Sequence, residues 1–181
     1  REPIDPVPFI TNPSSGKMGY AVARAAEHRG ASVVLVSGPT CLDDPPNIRI
    51  VRVRTAQEMA RAVFEEMGDA DVIVKSAAVG DYRVRETAAH KIKKTADELT
   101  LSLVKNDDIL MALGERKTRQ FLVGFAAETR DLQENAREKL ARKNLDMIVG
   151  NLVGQPSSGF GTDTNRVPLF YPDGQAEPLE E

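Results

Sequence analysis

Residues 12–19 (NPSSGKMG) combine residue types that could bind an anion. Gly16 and Gly19 would let the backbone approach a ligand closely, and free N–H groups at a helix start attract negative charge. An amide such as that of Asn12 can stabilise an oxyanion that develops during a reaction. The spacing matches neither a Walker A loop nor G-x-G-x-x-G. The alternative is an ordinary turn in which Ser14 or Ser15 caps a helix.

Two later segments could contact the ribose, base or phosphates of a nucleotide. Residues 77–82 (AAVGDY) begin with small side chains that leave room for a flat ring, and Asp81 could accept hydrogen bonds from a ribose or hold a cation. A tight turn capped by Asp81 is the alternative. In HKIKK, Lys91, Lys93 and Lys94 could clamp a polyphosphate as compact charges, or could form a solvated charge run.

Three more candidates lie further along the chain. Residues 104–108 (VKNDD) open a predicted helix at a strand end, where their polar side chains could equally serve as helix caps. Phe125 could face a base or belong to the core. Lys139 and Lys143 lie one helical turn apart, where they could bind an anion or cover apolar surface.

The elements that would position these residues alternate between short β-branched runs and amphipathic stretches, which is typical of βαβ units. Strands are predicted at residues 7–11, 32–37, 48–53, 71–75, 99–104, 121–126, 147–150 and 167–171, with a terminal hairpin around 172–174. Helices are predicted at 17–29, 55–67, 107–113 and 131–142, with a long loop at 83–97 and a Gly/Ser/Pro-rich tail at 155–165. We predict one doubly wound, mostly parallel, Rossmann-like α/β domain over residues 1–181, with a C-terminal β-hairpin. Ligands bind at the carboxyl ends of strands in such sheets, where we expect lysines 17, 91, 93, 94, 105, 139 and 143 to converge.

Composition excludes several classes of protein. The 181 residues carry 24 basic and 27 acidic side chains, a net charge of −3, which argues against a nucleic-acid binder. One cysteine, Cys41, and two histidines exclude a disulfide framework and a Cys/His metal centre. Because no apolar run approaches the roughly 20 residues that span a bilayer, we predict a cytoplasmic protein without membrane contact. Arg1 in place of methionine predicts a domain excised from a longer chain, with a processed N-terminus as the alternative.

The motifs taken together closely resemble the phosphopantothenoylcysteine synthetase family. The resemblance rests on Asn12-x-Ser14-Ser15-Gly16-Lys17-x-Gly19, Ala77-Ala78-Val79-x-Asp81-Tyr82, Lys91-Ile92-Lys93-Lys94, Lys105-Asn106-x-Asp108-Ile109, Gly124-Phe125-Ala126-Ala127-Glu128-Thr129 and Lys143-Asn144-Leu145-Asp146. These motifs occur in order from Pro6 to Leu179, so the resemblance covers most of the chain.

The resemblance implies a ligase of coenzyme A biosynthesis. Such an enzyme joins 4′-phosphopantothenate to cysteine through an acyl-cytidylate formed from CTP, with Mg²⁺ accompanying the triphosphate. In bacteria it is usually fused to a flavin-dependent decarboxylase, to which any FMN would belong. The family is dimeric, and the stretch Leu99, Leu101, Leu103 could supply an interface strand. The family continues past Pro-Leu-Glu with a further helix, which implies C-terminal truncation here.

Site residues are carried over motif by motif. Asn12 and Lys91 would be catalytic, and Asn12, Ser14 and Ser15 would bind the acyl substrate. Nucleotide binding is implied for Gly16, Ala77, Asp81, Lys91, Val104, Lys105, Asn106, Asp107, Phe125, Lys139 and Lys143. The loop that holds Lys91 and the tail around Gly159-Phe160-Gly161 would close over the substrates. No metal ligand is assigned.

One position departs from the family pattern, because Lys75 stands where a small or apolar residue is expected. Two alternatives to the ligase can be separated from it. A nicotinamide-dependent oxidoreductase would need G-x-G-x-x-G and Tyr-x-x-x-Lys, but Tyr82 is followed four positions on by Glu86. A non-catalytic nucleotide-binding module would bind nucleotide without releasing pyrophosphate.

Overall fold

Strands and helices alternate along most of the chain in the computed structural model, which describes residues 1–93, 97–128, 130–152 and 167–179. The helices are α1 (Lys17–His28), α2 (Ala56–Glu66), α3 (Ile109–Arg116) and α4 (Leu132–Arg142). The strands are β1 (Glu2–Pro3), β2 (Phe9–Ile10), β3 (Val34–Ser37), β4 (Arg49–Arg52), β5 (Val72–Lys75), β6 (Tyr82–Val84), β7 (Leu103–Lys105), β8 (Phe121–Glu128), β9 (Met147–Leu152), β10 (Val167–Phe170) and β11 (Ala176–Leu179). The predicted helices are confirmed, with small shifts at their ends.

In the described part of the chain, the central sheet has five strands in the order β11–β10–β9–β8–β5. β5, β8 and β9 are parallel, with Val72 opposite Phe121 and Val123 opposite Met147. β10 and β11 add an antiparallel hairpin, in whose turn Gly174 has a φ of 88°. The predicted α/β class with a C-terminal hairpin is therefore confirmed.

Three further strand pairs occur within the described residues. β3 and β4 are parallel, whereas β1–β2 and β6–β7 are antiparallel. The β6–β7 pair shows that the predicted loop at 83–97 is wrong at residues 83 and 84, which pair with β7, whereas residues 85–93 contain no helix or strand, as predicted. The predicted strand start at residue 99 is also wrong, because that strand begins only at Leu103. Short strands whose partners are distant in sequence leave no local periodicity to detect. The strand predicted at 7–11 is likewise reduced to Phe9–Ile10.

Side chains and glycines determine where the helices begin and end. Thr55 Oγ1 accepts a hydrogen bond from Glu58 N at 3.1 Å and caps α2, while the Glu58 carboxylate accepts from Arg54 N rather than from the backbone of Thr55. Buried Glu2 accepts from Ala56 N at 2.8 Å at the same helix start. α1 ends as predicted before Gly30, which has a φ of 86° and donates to Glu27 O.

The main core lies between the central sheet and the helices that follow its strands. Leu113, Leu122 and Ile148 are its fully buried large side chains, and each contributes roughly 1.5–3 kcal/mol by burial. Gly124 allows close packing here, because a Cβ at that position would lie 2.9 Å from side-chain atoms of both Leu110 and Leu145. This packing holds α3 and the end of α4 against β8, beside the carboxyl end of the sheet.

Candidate active site

A cleft of about 1300 Å³ opens at the carboxyl ends of β2, β3, β5 and β8. Its volume exceeds the upper end, about 1000 Å³, of the usual range for small-molecule sites. The predicted site residues that line it are Asn12, Ser14, Ser15, Gly16, Ala77, Asp81, Lys105, Asn106, Asp107, Phe125, Lys139 and Lys143. The topology thus brings together residues that lie far apart in sequence.

The first wall of the cleft is the loop between β2 and α1. Gly16 adopts a φ of 78°, and a Cβ there would lie 2.7 Å from Thr40 Cγ2, so both backbone and space favour glycine. Ser15 Oγ accepts from Lys17 N at 3.3 Å and supports the helix start. Asn12 Nδ2 donates to Val79 O at 3.3 Å. Asn12 therefore connects this loop to the segment that follows β5.

Asn106 organises the second wall, which follows β5. Its side-chain amide donates to Gly80 O at 2.8 Å, and its backbone N–H donates to Asp81 O at 2.8 Å. Its Oδ1 accepts from Arg83 at 3.2 Å, and the residue is only 6% exposed. The side chain of Asn106 is thus engaged with the protein, whereas Asp81 is exposed in the cleft.

Three lysines meet at the far end of the cleft. Lys139 Nζ donates to Phe125 O at 2.7 Å, and Lys143 Nζ pairs with Asp108 Oδ2 at 2.6 Å. Lys75, at the end of β5, donates to Ala77 O at 3.0 Å. Among the predicted site residues Lys75 was left out, although a lysine ending an apolar strand was a usable signal for it.

The charges of this group shift one another's pKa values. Burial, followed by repulsion from Lys143, lowers the pKa of Lys75 to about 8, and the same two causes lower the pKa of Lys139. Burial disfavours ionised Asp108, but hydrogen bonds from Lys143 and from Met111 N outweigh it and lower the pKa of this carboxyl. The far end of the cleft therefore holds three lysines beside one carboxylate, Asp108, that is paired with Lys143.

A hydroxyl network that sequence reasoning missed supports the opposite side of the cleft. Buried Tyr20 lies with its hydroxyl 3.0 Å from Ser37 Oγ and accepts from Arg52 at 3.0 Å and from Thr40 at 3.3 Å. Burial raises the pKa of Tyr20, but these hydrogen bonds outweigh it, and the pKa is lowered. The network joins α1 to β3 and β4.

Asn151 Oδ1, at the end of β9, is a buried side-chain oxygen without a hydrogen-bond partner among the described residues. Because Asn151 also lines the cleft, this acceptor is available to a donor group of a ligand.

The structure does not bring every expected lysine into the cleft. Lys91 and Lys93 are exposed and do not line it, and neither does Val104, so the expected convergence is wrong for these two lysines. The physical reason is an anchor at buried Asp5, which accepts from Ile92 N at 2.9 Å and holds the loop against the N-terminal segment. Lys94, Thr129, the tail at 155–165 and the strip Gly159-Phe160-Gly161 lie outside the described residues.

The described residues contain no group of three or more His, Cys, Asp or Glu side chains arranged to hold a metal ion. No helix in the described ranges has the length and apolar character needed to cross a membrane.

The fold and the cleft define a doubly wound α/β protein whose ligand site, rich in ammonium groups, lies at the strand carboxyl ends. The family model of the DNA/pantothenate metabolism flavoprotein C-terminal domain matches residues 1–181, and the chain belongs to this family. The family-level resemblance stated from the motifs is therefore confirmed.

Individual relatives agree with this assignment. The chain is 49% identical over 180 residues to the coenzyme A biosynthesis bifunctional protein CoaBC of Bacillus subtilis (strain 168), covering 99% of this chain and 44% of the relative. It is 50% identical over 185 residues to the protein of the same name from Escherichia coli (strain K12), covering 99% and 46%. The chain thus spans less than half the length of these curated relatives.

Solved structures show the same fold. The crystal structure of the C-terminal domain of a coenzyme A biosynthesis bifunctional protein CoaBC has a TM-score of 0.83 and 44% identity, over 99% of this chain and 81% of that one. A DNA/pantothenate metabolism flavoprotein from Streptococcus pneumoniae has a TM-score of 0.85 at 24% identity, over 98% and 87%, and supports the fold alone.

Proposed function

We propose that this chain is the synthetase part of a coenzyme A biosynthesis enzyme, a ligase that joins 4′-phosphopantothenate to cysteine with CTP. The observation that carries the proposal is the meeting of the assigned site residues, apart from Lys91 and Val104, in one cleft at the strand carboxyl ends. The bifunctional coenzyme A biosynthesis relatives, about 50% identical over nearly the whole chain, support it.

The reaction has two balanced steps. A carboxylate oxygen of phosphopantothenate attacks the α-phosphorus of CTP, and the bond to pyrophosphate breaks. The amine of cysteine then attacks the acyl carbon and expels CMP, so that an amide forms and the amine loses a proton. A carboxylate is activated in this way because CMP is a far better leaving group than oxide.

The chain's contribution is binding, orientation and charge stabilisation. Asn12, held at Val79 O, would place its amide beside the acyl oxygen on which negative charge develops, an effect worth a few kcal/mol. Ser14 and Ser15 would bind the acyl substrate at the start of α1. Lys139 and Lys143 at the far end of the cleft would bind the nucleotide, with Ala77 and Phe125 beside its flat base.

Lys91 would act in a closed state of the site. Because its loop is anchored at Asp5 and lies outside the cleft lining, neutralising the departing pyrophosphate requires movement of Lys91 toward the substrates. Closure would also exclude water from an acyl-cytidylate that hydrolyses readily.

We also propose that Mg²⁺ binds together with the triphosphate of CTP. In nucleotide enzymes this ion binds through substrate phosphates, one or two carboxylates and water. When bound it would supply charge neutralisation on the phosphates. A homodimer, a fused decarboxylase domain that would hold any FMN, and a cytoplasmic location complete the proposal.

Pyrophosphate release tests the proposed function directly. Protein mixed with Mg²⁺, CTP, 4′-phosphopantothenate and cysteine should release pyrophosphate and CMP and form the amide. CTP binding without pyrophosphate release would identify a nucleotide-binding module instead of a ligase.

Two variants test the assigned roles. Asn12→Ala should consume CTP but accumulate acyl-cytidylate, seen by mass spectrometry, and normal amide formation would remove Asn12 from the mechanism. Lys91→Gln should fail at activation, whereas exposed Lys93→Gln in the same loop serves as its matched control. Unimpaired intermediate formation by Lys91→Gln would contradict its assigned role.

A further inference from the structure

Lys75 occupies a position that the proposed mechanism does not use. It ends β5, lines the cleft and is partly buried. Its ammonium has three N–H donors, and among the described residues its hydrogen-bond acceptor is Ala77 O at 3.0 Å. Two donors are therefore left for another acceptor within the cleft.

The charged groups that act on Lys75 come from each element packed around it. Lys139 and Lys143, from α4 and its C-terminal cap, repel it, whereas Asp108 at the start of α3 and Asp81 after β5 attract it. Asp108 is already paired with Lys143 at 2.6 Å, so the positive charges outnumber the carboxylates that balance them. Such a group attracts acceptor oxygens.

We propose that Lys75 joins Lys139 and Lys143 in binding acceptor oxygens of the nucleotide, leaving its contact with Ala77 O partly or wholly when the ligand arrives. The inference rests on the proposed function, since it adds a residue to the nucleotide site. The shared ligand chemistry is an oxygen acceptor, which a nucleotide offers on its phosphates and on the carbonyl of a pyrimidine base.

Binding should then be coupled to proton uptake. The pKa of Lys75 is about 8, so about half of the molecules carry a neutral amine at pH 8. An acceptor beside the ammonium stabilises the charged form and returns the pKa toward its ordinary value. Nucleotide affinity should therefore fall as the pH rises above 8, by about tenfold between pH 7 and pH 9 if the full shift is reversed.

Calorimetry in two buffers of different ionisation enthalpy measures this uptake. At pH 8 we expect the unaltered chain to take up about half a proton per CTP bound, and Lys75→Met to take up clearly less with a flatter pH dependence. Lys75→Arg keeps N–H donors at this position and is charged at every pH tested. This variant should therefore bind CTP without the proton uptake that Lys75 contributes. Lys117→Met removes another largely buried lysine, which pairs with Asp146 away from the cleft lining, and should leave uptake unchanged.

The choice of ligand identifies the acceptor. Uptake with CTP but not with cytidine would support phosphate oxygens, whereas uptake with both would support the base carbonyl. CTP binding without proton uptake, or the same uptake in Lys75→Met as in the unaltered chain, would overturn the inference and leave the proposed function intact. Absence of CTP binding at every pH would overturn both. Circular dichroism establishes that each variant is folded, and Lys75→Gln replaces Lys75→Met if the latter is not.

Discussion

Asn106 lines the cleft and uses its side chain to hold the neighbouring backbone. Its amide and backbone N–H hold Gly80 O and Asp81 O, both at 2.8 Å, and its Oδ1 accepts from Arg83. We therefore interpret the asparagine of the family motif as a positioning residue for the segment that carries Asp81.

Asn106→Ala should lower the free energy of unfolding by about 2 kcal/mol, because partly buried Gly80 O loses its donor from the buried Asn106 side chain. The KM for CTP should rise about tenfold, with a smaller change in kcat, because the segment that carries Asp81 is no longer held in place. A tenfold rise corresponds to about 1.4 kcal/mol of binding free energy. Urea unfolding and steady-state kinetics measure these values. Gln133→Ala, an exposed amide on α4, should change stability by less than about 0.5 kcal/mol. Equal effects on kcat and KM would favour a direct role in chemistry.

Lys75 should also make stability depend on pH. Its folded-state pKa of about 8 lies below the ordinary lysine value of 10.5, so the unfolded chain binds more protons between these values, and stability rises with pH across that range. Lys75→Met should therefore raise the free energy of unfolding by up to about 3 kcal/mol at pH 7. At pH 10 the increase should be smaller than at pH 7 by about 2 kcal/mol. Urea unfolding at both pH values measures the difference. An equal effect at the two pH values would contradict the depressed pKa.

At the scale of elements, α3 and the end of α4 are joined at one glycine. Asn144, which follows α4 with a φ of 49°, donates to Gly114 O at 2.8 Å. A Cβ at Gly114 would lie 1.9 Å from Lys143 O, so no side chain fits between the helices without displacing backbone. This contact places Lys143 beside Asp108, which caps α3.

Gly114→Ala should therefore destabilise the fold by about 3 kcal/mol or more and weaken nucleotide binding, because Lys143 must move. Gly68→Ala is the matched control, since a Cβ there meets nothing within 4 Å, and it should be nearly neutral. Thermal unfolding and CTP titration measure both effects. A stable Gly114→Ala variant with normal CTP affinity would show that the helix contact does not determine the lysine geometry.

The N-terminal segment holds both the start of α2 and the loop that carries Lys91. Glu2 caps α2 and Asp5 holds Ile92 N, so two buried carboxylates attach this segment to the Lys91 loop and to the helix that follows β4. The resting position of Lys91 is therefore determined by residues near the start of the chain.

At the scale of the whole molecule, a net charge of −3 coexists with a cleft lined by several lysines, so charge distribution matters more than its sum. If CTP binds only the folded chain, saturation at a hundredfold excess over Kd adds about 3 kcal/mol of stability. For a domain of this size that corresponds to a rise in Tm of about 6–10 °C. Differential scanning calorimetry should show this rise with CTP and a smaller one with CMP. Equal rises with both would show that the terminal phosphates contribute nothing to binding.

Much of the fold could be predicted from local pattern, because hydrophobic periodicity, helix caps and turn glycines act over a few residues. The helices, the parallel strands and the Gly30 helix end follow from such signals. The rule that ligands bind at the carboxyl ends of parallel strands also predicted that most of the assigned site residues lie in one cleft. The short pair β6–β7 could not be found in this way, since its partners are distant in sequence.

The sequence was thus sufficient for the fold class, the family and the motif residues, since these depend on residue type and spacing. Only the tertiary structure showed that Asn106 is engaged with the protein, that Asp5 holds the Lys91 loop away from the cleft, and that Lys75 joins two other lysines. The physical reason is that hydrogen-bond partners, burial and the distances between charges depend on packing between segments remote in the chain.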